Sequence, residues 1–209
     1  MNFKKPKFWD YKKISIWSFT LFPFTILYRF VFFIIKSLKN PKKFPIPIIC
    51  IGNIYLGGTG KTPLAMEIFR INKSLNKNPA FVKKPYGYLN DEIEMLKKVG
   101  KIFTSKDRVS SISSLIDNEY DVAILDDGFQ DFSINPDLNI LCFNSKQLIG
   151  NGFVIPSGPL REKFSSIKRA DCIFINGEKN LEFEYKIKSI NSKVKIFYSK
   201  YKIKNSNKF

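Results

Sequence analysis

Histidine is absent from all 209 residues. The ligand of most zinc sites and the base of imidazole-driven nucleophile triads are absent with it. Cysteine is scarce: Cys50, Cys142 and Cys172 each lie inside an apolar run, form no C-x-x-C pair and read as reduced core residues in a cytosolic setting. Alanine does not occur before Ala65, so the apolar stretch near the amino terminus is followed by no small-residue cleavage site of a secretory signal. Acidic residues are outnumbered, 18 Asp and Glu against 35 Lys and Arg, leaving +17. Such a field favours anionic partners: nucleotides, nucleic acid or acidic lipid. The basic residues are scattered and no nucleic-acid motif accompanies them, so a specific nucleic-acid role is not indicated. Internal repeats and low-complexity linkers are also missing. The length suits one α/β domain with an appendage.

The most informative feature present is Cys50-Ile51-Gly52-Asn53-Ile54-Tyr55-Leu56-Gly57-Gly58-Thr59-Gly60-Lys61-Thr62-Pro63. An apolar run ends in a glycine-rich turn closed by Gly-Lys-Thr, and a helical pattern follows. Gly57, Gly58 and Gly60 can take backbone angles denied to other residues, so that successive N–H groups, with Thr59 among them, converge on phosphate oxygens. The positive end of the following helix points at the same anion. Lys61 would reach the β- and γ-phosphates, Thr62 would ligate Mg²⁺, and Pro63 suits a first helical turn. The strict pattern places glycine five positions before Gly60, where this chain has Tyr55.

Residues 14–35 are dominated by Ile, Leu, Phe, Trp and Val, with Lys12 and Lys13 before them and Lys36, Lys39, Lys42 and Lys43 after. This composition predicts membrane association over residues 1–44. Pro23 would interrupt a spanning helix, and Arg29 at depth would cost about 2.5–3.5 kcal/mol. An interfacial helix avoids both: Phe24, Leu27, Phe30, Val31, Ile34, Ile35 and Leu38 recur at helical spacing, with Arg29 and Lys36 able to reach headgroups. Each following lysine would add about 1 kcal/mol on an anionic leaflet. The bland alternative is an amphipathic helix packed on the protein's own core.

Over residues 45–209, strands are predicted at 80–82, 122–125, 138–143, 172–175 and 194–198, with helices at 63–75, 91–99 and 109–116. The alternation implies an α/β fold, a P-loop NTPase-like, mainly parallel sheet with flanking helices. Asp121-Val122-Ala123-Ile124-Leu125-Asp126-Asp127-Gly128 is an apolar strand delivering carboxylates to a sheet edge, as a Mg²⁺ site requires, with Asp126 or Asp127 on the metal.

Three motifs in order, Gly52-Asn53-Ile54 running into Gly-Gly-Thr-Gly-Lys-Thr-Pro, Asp-Asp-Gly-Phe-Gln at 126–130, and Asn151-Gly152-Phe153-Val154-Ile155-Pro156-Ser157-Gly158-Pro159-Leu160-Arg161-Glu162, resemble the tetraacyldisaccharide 4'-kinase family. The resemblance implies an enzyme at the cytoplasmic face of the bacterial inner membrane, phosphorylating the 4'-hydroxyl of tetraacyldisaccharide 1-phosphate in lipid A biosynthesis with ATP and Mg²⁺. It implies that Lys61 and Thr62 bind ATP and Mg²⁺, and that Asp126, Asp127 and Glu92 complete the metal site. Asp91, in Asn90-Asp91-Glu92, would be the base. Arg108, Gln130, Arg161 and Glu162 fall where the family contacts the substrate. Departures are visible: Asp131 stands where the family has histidine, Lys83-Lys84-Pro85-Tyr86-Gly87 replaces a Ser-Arg-Gly-Tyr-Gly pattern, and the stretch from there to Asp91 is short. The chain ends at Phe209, before the family's Asp-His-His motif, so the resemblance covers about the first two thirds of a typical member and predicts a fragment whose nucleotide binding outlasts its catalysis. The alternatives are a catalytically impaired nucleotide-binding remnant, a membrane-bound P-loop ATPase and a basic nucleic-acid-binding protein.

Overall fold

A computed structural model describes residues 5–11, 14–85 and 90–200. Lys12, Lys13, Tyr86, Gly87 and the segment 202–209 lie outside them. Seven strands form one sheet: β1 Ile48–Gly52, β2 Pro79–Lys83, β3 Ile102–Thr104, β4 Val122–Asp126, β5 Leu138–Asn144, β6 Cys172–Asn176 and β7 Lys195–Ser199. Their order is β3-β2-β4-β1-β5-β6-β7, and every pairing is parallel. A parallel strand covered on both faces reads as a continuous apolar run, which is why Ile-Ile-Cys-Ile and Val-Ala-Ile-Leu were recognisable as strands. The three residues of β3 and the helix Leu181–Ile190 were not anticipated. Ile102-Phe103-Thr104 is too short to show a period, and its place depends on β2, with Phe81 opposite Ile102.

Helices α1 Ile16–Thr20 and α2 Phe22–Ser37 precede the sheet, and α3 Lys61–Ser74, α4 Asn90–Lys97, α5 Arg108–Asp117 and α6 Leu181–Ile190 alternate with its strands. One face of the sheet packs Ile51, Phe81 and Ile124 against Ala65 and Phe69 of α3 and Leu96 of α4. The other packs Cys50, Leu125 and Phe143 against Ile112 and Leu115 of α5 and Phe183 and Ile187 of α6. Local chemistry starts the helices on the second face: the Asp107 carboxylate accepts from Ser110 N at 3.0 Å and the Asn180 amide oxygen from Phe183 N at 2.9 Å, each satisfying a first-turn N–H.

Helix α2 is inverted relative to an ordinary surface helix, which turns its apolar stripe inward. Its buried residue is Thr25, whose hydroxyl donates to Val154 O at 3.1 Å and lies 2.8 Å from Ser157 Oγ. Tyr28 Oη donates to Arg161 O at 3.1 Å, and the Phe32 ring meets Phe132 edge-on. Phe24, Leu27, Phe30, Val31, Ile34, Ile35 and Leu38 all point away from the protein, exposed by 41–76%. The apolar stripe therefore does not cover the protein's own core. Among the described residues no helix is long and apolar enough to cross a membrane.

Candidate functional site

Because all strands run the same way, β1, β2 and β4 deliver their carboxyl ends to one edge of the sheet: Gly52, Lys83 and Asp126. The chain reverses its direction of travel across the sheet beside β1, and a crevice opens there. The turn from β1 into α3 fills it. Gly60 caps α3 in the left-handed region at φ +87°, and Gly57 sits at φ +150°, so both positions favour glycine. A side chain at Gly58 would meet nothing within 4 Å, so the space over it is open to a ligand. Asn53 holds the turn from beneath, its side-chain nitrogen reaching Tyr55 O at 2.7 Å, Gly57 O at 3.1 Å and Thr59 Oγ1 at 2.9 Å. Tyr55, the departure from the strict pattern, is fully buried and donates its hydroxyl to Asp10 at 2.6 Å. It ties the amino-terminal segment to the turn.

Around this cradle every carboxylate is met by a cation. Asp126 is wholly buried; its Oδ2 accepts from Thr62 Oγ1 at 3.1 Å and from the Lys83 ammonium, while Oδ1 has no hydrogen-bond partner among the described residues. Asp127 accepts both Arg161 Nη1 contacts, at 2.9 and 3.1 Å, and lies 3.6 Å from Lys61 Nζ. Burial opposes its ionisation, but Lys61 and Arg161 outweigh that and hold its pKa below the usual carboxylate range. Asp131 pairs with Arg108 and Lys84, both at 3.0 Å. Burial again works against the charged form of Asp131, and bonds from Ser133 and Lys84 with the Arg108 charge depress its pKa all the same. Arg108 also donates to the carbonyls of Asp126 and Asp127, clamping the turn after β4. Glu162 pairs with Arg169 at 2.6 Å, and the Arg169 guanidinium lies 4.0 Å from the Phe129 ring centroid.

Gln130 links these groups. Its amide nitrogen donates to Asn53 O at 2.9 Å and Glu162 at 3.0 Å, and its oxygen accepts from Arg161 at 3.2 Å. The predicted substrate residues Arg108, Gln130, Arg161 and Glu162 thus form one network with Asp126 and Asp127. Glu92 joins it through Lys83. Asp91 does not: it is exposed in the first turn of α4 and has no ion-pair partner among the described residues. Lys83, Lys84, Asp131 and Asn53 belong to the site although motif reading gave them no role. Their signal was present for the first three, as departures from the expected pattern.

Two cavities meet at the Asp127–Arg161 pair. One, of about 710 Å³, is lined by residues 56–63, Glu92 and Met95; the other, of about 730 Å³, by Lys39, Lys42, Lys84, Lys106, Arg108, Gln130 and Asp131 among others; Asp127 and Arg161 line both. The first has the glycine turn and a helix start, suited to a polyphosphate. The second is rich in cations and runs to the end of α2. Hard oxygen donors of the kind a divalent cation takes stand at the wall of the first: the Thr62 hydroxyl lines it, and behind it lies the buried Asp126 carboxylate, its Oδ1 unpartnered among the described residues. Among the described residues no group of three or more His, Cys, Asp or Glu is gathered as a metal site, so phosphate and water oxygens would complete the coordination.

Comparison with known proteins is consistent with this geometry. The family model described as tetraacyldisaccharide-1-P 4'-kinase matches residues 17–97 and 88–208. The tetraacyldisaccharide 4'-kinase of Pelagibacter ubique is 43% identical over 206 residues, covering 96% of this chain and 64% of the relative. That of Rickettsia conorii is 33% identical over 187 residues, covering 81% of this chain and 58% of the relative. The chain therefore spans somewhat under two thirds of the length of these relatives. The crystal structure of LpxK from Aquifex aeolicus in complex with ATP superposes with a TM-score of 0.64 at 23% identity, over 88% of this chain and 81% of that one. The signal recognition particle 54 kDa protein of Aeropyrum pernix, in complex with GDP, has a TM-score of 0.54 at 12% identity, over 87% of this chain and 48% of that one. These two likenesses concern the fold.

Proposed function

The chain belongs to the tetraacyldisaccharide-1-P 4'-kinase family, and from that premise we propose that it transfers the γ-phosphoryl group of ATP to the 4'-hydroxyl of tetraacyldisaccharide 1-phosphate. The observation that carries this reading is the meeting of the two cavities at Asp127 and Arg161. A phosphoryl donor in the glycine-lined cavity and a phosphorylated acceptor in the cation-lined one would face each other across that pair. Lys61 would leave Asp127 for the β- and γ-phosphate oxygens, and Arg161 stands ready to neutralise charge on the transferring group. Asn53 and Gln130 hold these groups in place, so the protein's work is positioning and charge neutralisation. Mg²⁺ bound at Thr62 and Asp126 would neutralise the β- and γ-phosphates.

The outward apolar face of α2 supports a location on the cytoplasmic face of the inner membrane. Fourteen exposed large apolar residues from Ile14 to Leu38 make a patch that water covers poorly, and the mouth of the cation-lined cavity, at Ile35 and Lys39, lies at the end of the same helix. A lipid acceptor lying in the bilayer surface would be presented there. Nucleotide binding without transfer is a second reading, favoured by Asp91, which is exposed and has no ion-pair partner among the described residues.

Incubation with labelled ATP, Mg²⁺ and tetraacyldisaccharide 1-phosphate in detergent, beside Lys61→Ala, tests both. Lysine-dependent label on the lipid is the expected result. ATP binding without labelled lipid would favour the second reading, and failure to bind ATP would overturn the phosphate-cradle assignment.

A further inference from the structure

The least expected group in the cradle is Lys83. It ends β2, one residue beyond the Val82–Leu125 pairing with β4, and so stands beside Asp126 on the neighbouring strand. Its side chain is 1% exposed and its ammonium contacts both Asp126 Oδ2 and Glu92 Oε2. The ammonium is thus enclosed between a carboxylate from the end of β4 and one from the first turn of α4. A fully buried carboxylate needs a compensating charge, and here the chain supplies one covalently, between Asp126, which accepts from the Thr62 hydroxyl, and Glu92, which lines the cavity of the glycine turn.

We propose that Lys83 is a built-in counter-cation and positioning residue. Its ammonium holds Asp126 and Glu92 in place before any divalent cation arrives, and it competes with that cation, so the site binds the cation weakly on its own. The electrostatics follow from counting. Asp126 and Glu92 alone present two negative charges; with Lys83 between them they present one. Removing one like charge about 4 Å from an incoming divalent cation strengthens its binding by about thirtyfold even with water-like screening, and by more in a buried site. The orphaned Oδ1 of Asp126 is the oxygen left for the cation while Lys83 keeps Oδ2.

The test uses Mn²⁺ alone, without nucleotide, read by electron paramagnetic resonance on the full chain. Lys83→Gln removes the charge and keeps a hydrogen-bond donor, and Lys83→Arg keeps the charge. The expected result is Mn²⁺ binding tighter by about thirtyfold or more in Lys83→Gln than in the unmodified chain, with Lys83→Arg like the unmodified chain. Equal or weaker binding by Lys83→Gln, or tighter binding by Lys83→Arg, would overturn the proposal. A Lys83→Gln chain that regains its far-ultraviolet circular dichroism only with Mn²⁺ present counts in favour; one that no divalent cation folds counts against. A lysine serving only the fold would not move Mn²⁺ affinity. The proposal rests on the cation-assisted reading of the cradle, and a second arm with ADP separates the two. Loss of ADP binding in the unmodified chain would defeat the kinase reading, while the Mn²⁺ difference between the unmodified chain and Lys83→Gln would stand or fall by itself.

Discussion

The phosphate cradle and helix α2 obey opposite rules. In the cradle, charged groups lie inside: Asp126, Lys83 and Arg108 are each at most 3% exposed, and each carboxylate of the cluster has a cation beside it. On α2, apolar groups lie outside, while the Thr25 and Tyr28 hydroxyls and the Phe32 ring make contacts with the protein. Buried charge is tolerated where partners neutralise it, and exposed apolar surface is tolerated where something other than water covers it. The first condition is met by the chain itself. The second requires a surface outside it, which is the argument for a lipid-facing helix.

The comparison breaks most sharply at Lys61. Lys61→Ala should lower turnover by about 10²–10³, the loss typical of removing one preorganised donor to a transition-state oxyanion, with the circular dichroism spectrum unchanged; a rate within threefold of the unmodified chain would remove Lys61 from the chemistry. Next, Arg161→Ala strips Asp127 of the guanidinium nitrogen from which both its oxygens accept. A fully buried pair broken this way costs about 3–5 kcal/mol. Arg161 and Asp127 side chains are 23% and 17% exposed, so about 2–3 kcal/mol is expected once solvent screening is allowed for, measured as a shift in the urea midpoint.

On α2 the usual rule should reverse. Thr25→Val removes two hydroxyl contacts and leaves Ser157 N, which now donates to Thr25 Oγ1 at 3.2 Å, without its partner. Destabilisation of about 1–3 kcal/mol follows. Phe30→Gln on the outer face should change stability by no more than about 0.5 kcal/mol yet weaken flotation with anionic vesicles. If the phenylalanine proved the costlier loss in urea, the helix would be packed the ordinary way round.

Acid should act on the cradle before it acts on α2, which carries no carboxylate. The pKa values of Asp127 and Asp131 are depressed in the folded chain. Their contribution is therefore complete above the unfolded carboxylate value of about 3.9 and is lost as pH falls from there through the folded values. A urea midpoint that stayed flat from pH 5 down to about pH 2 would contradict those pairings. The smallest effect concerns thiols. Burial pushes Cys50 and Cys142 up to about 12, so neither should react with a thiol reagent at neutral pH until the chain unfolds.

Much of this architecture was legible because its signals are local. A covered parallel strand is a run of Ile, Val and Leu, and a glycine turn before Lys-Thr is a phosphate cradle by backbone geometry alone. The departures were legible as oddities only. Lys83 and Lys84 stand where the family pattern has serine and arginine, and Asp131 where it has histidine. In three dimensions Lys84 pairs with Asp131, and Lys83 with Asp126 and Glu92. Two of the oddities are partners of each other, 47 residues apart in sequence, and no spacing rule could have joined them.

The sequence by itself determined the strands other than β3, the cradle and the apolar character of α2, since each depends on residues within one turn or one strand of each other. Only the tertiary structure decided which cation meets which carboxylate, that Gln130 joins Arg161 to Glu162, that Asp91 stays outside the cluster, and that α2 faces its apolar side outward. Those outcomes depend on distances between segments far apart in the chain, set by the parallel order of β2, β4 and β1, and a charge has no preferred partner until the fold brings one within reach.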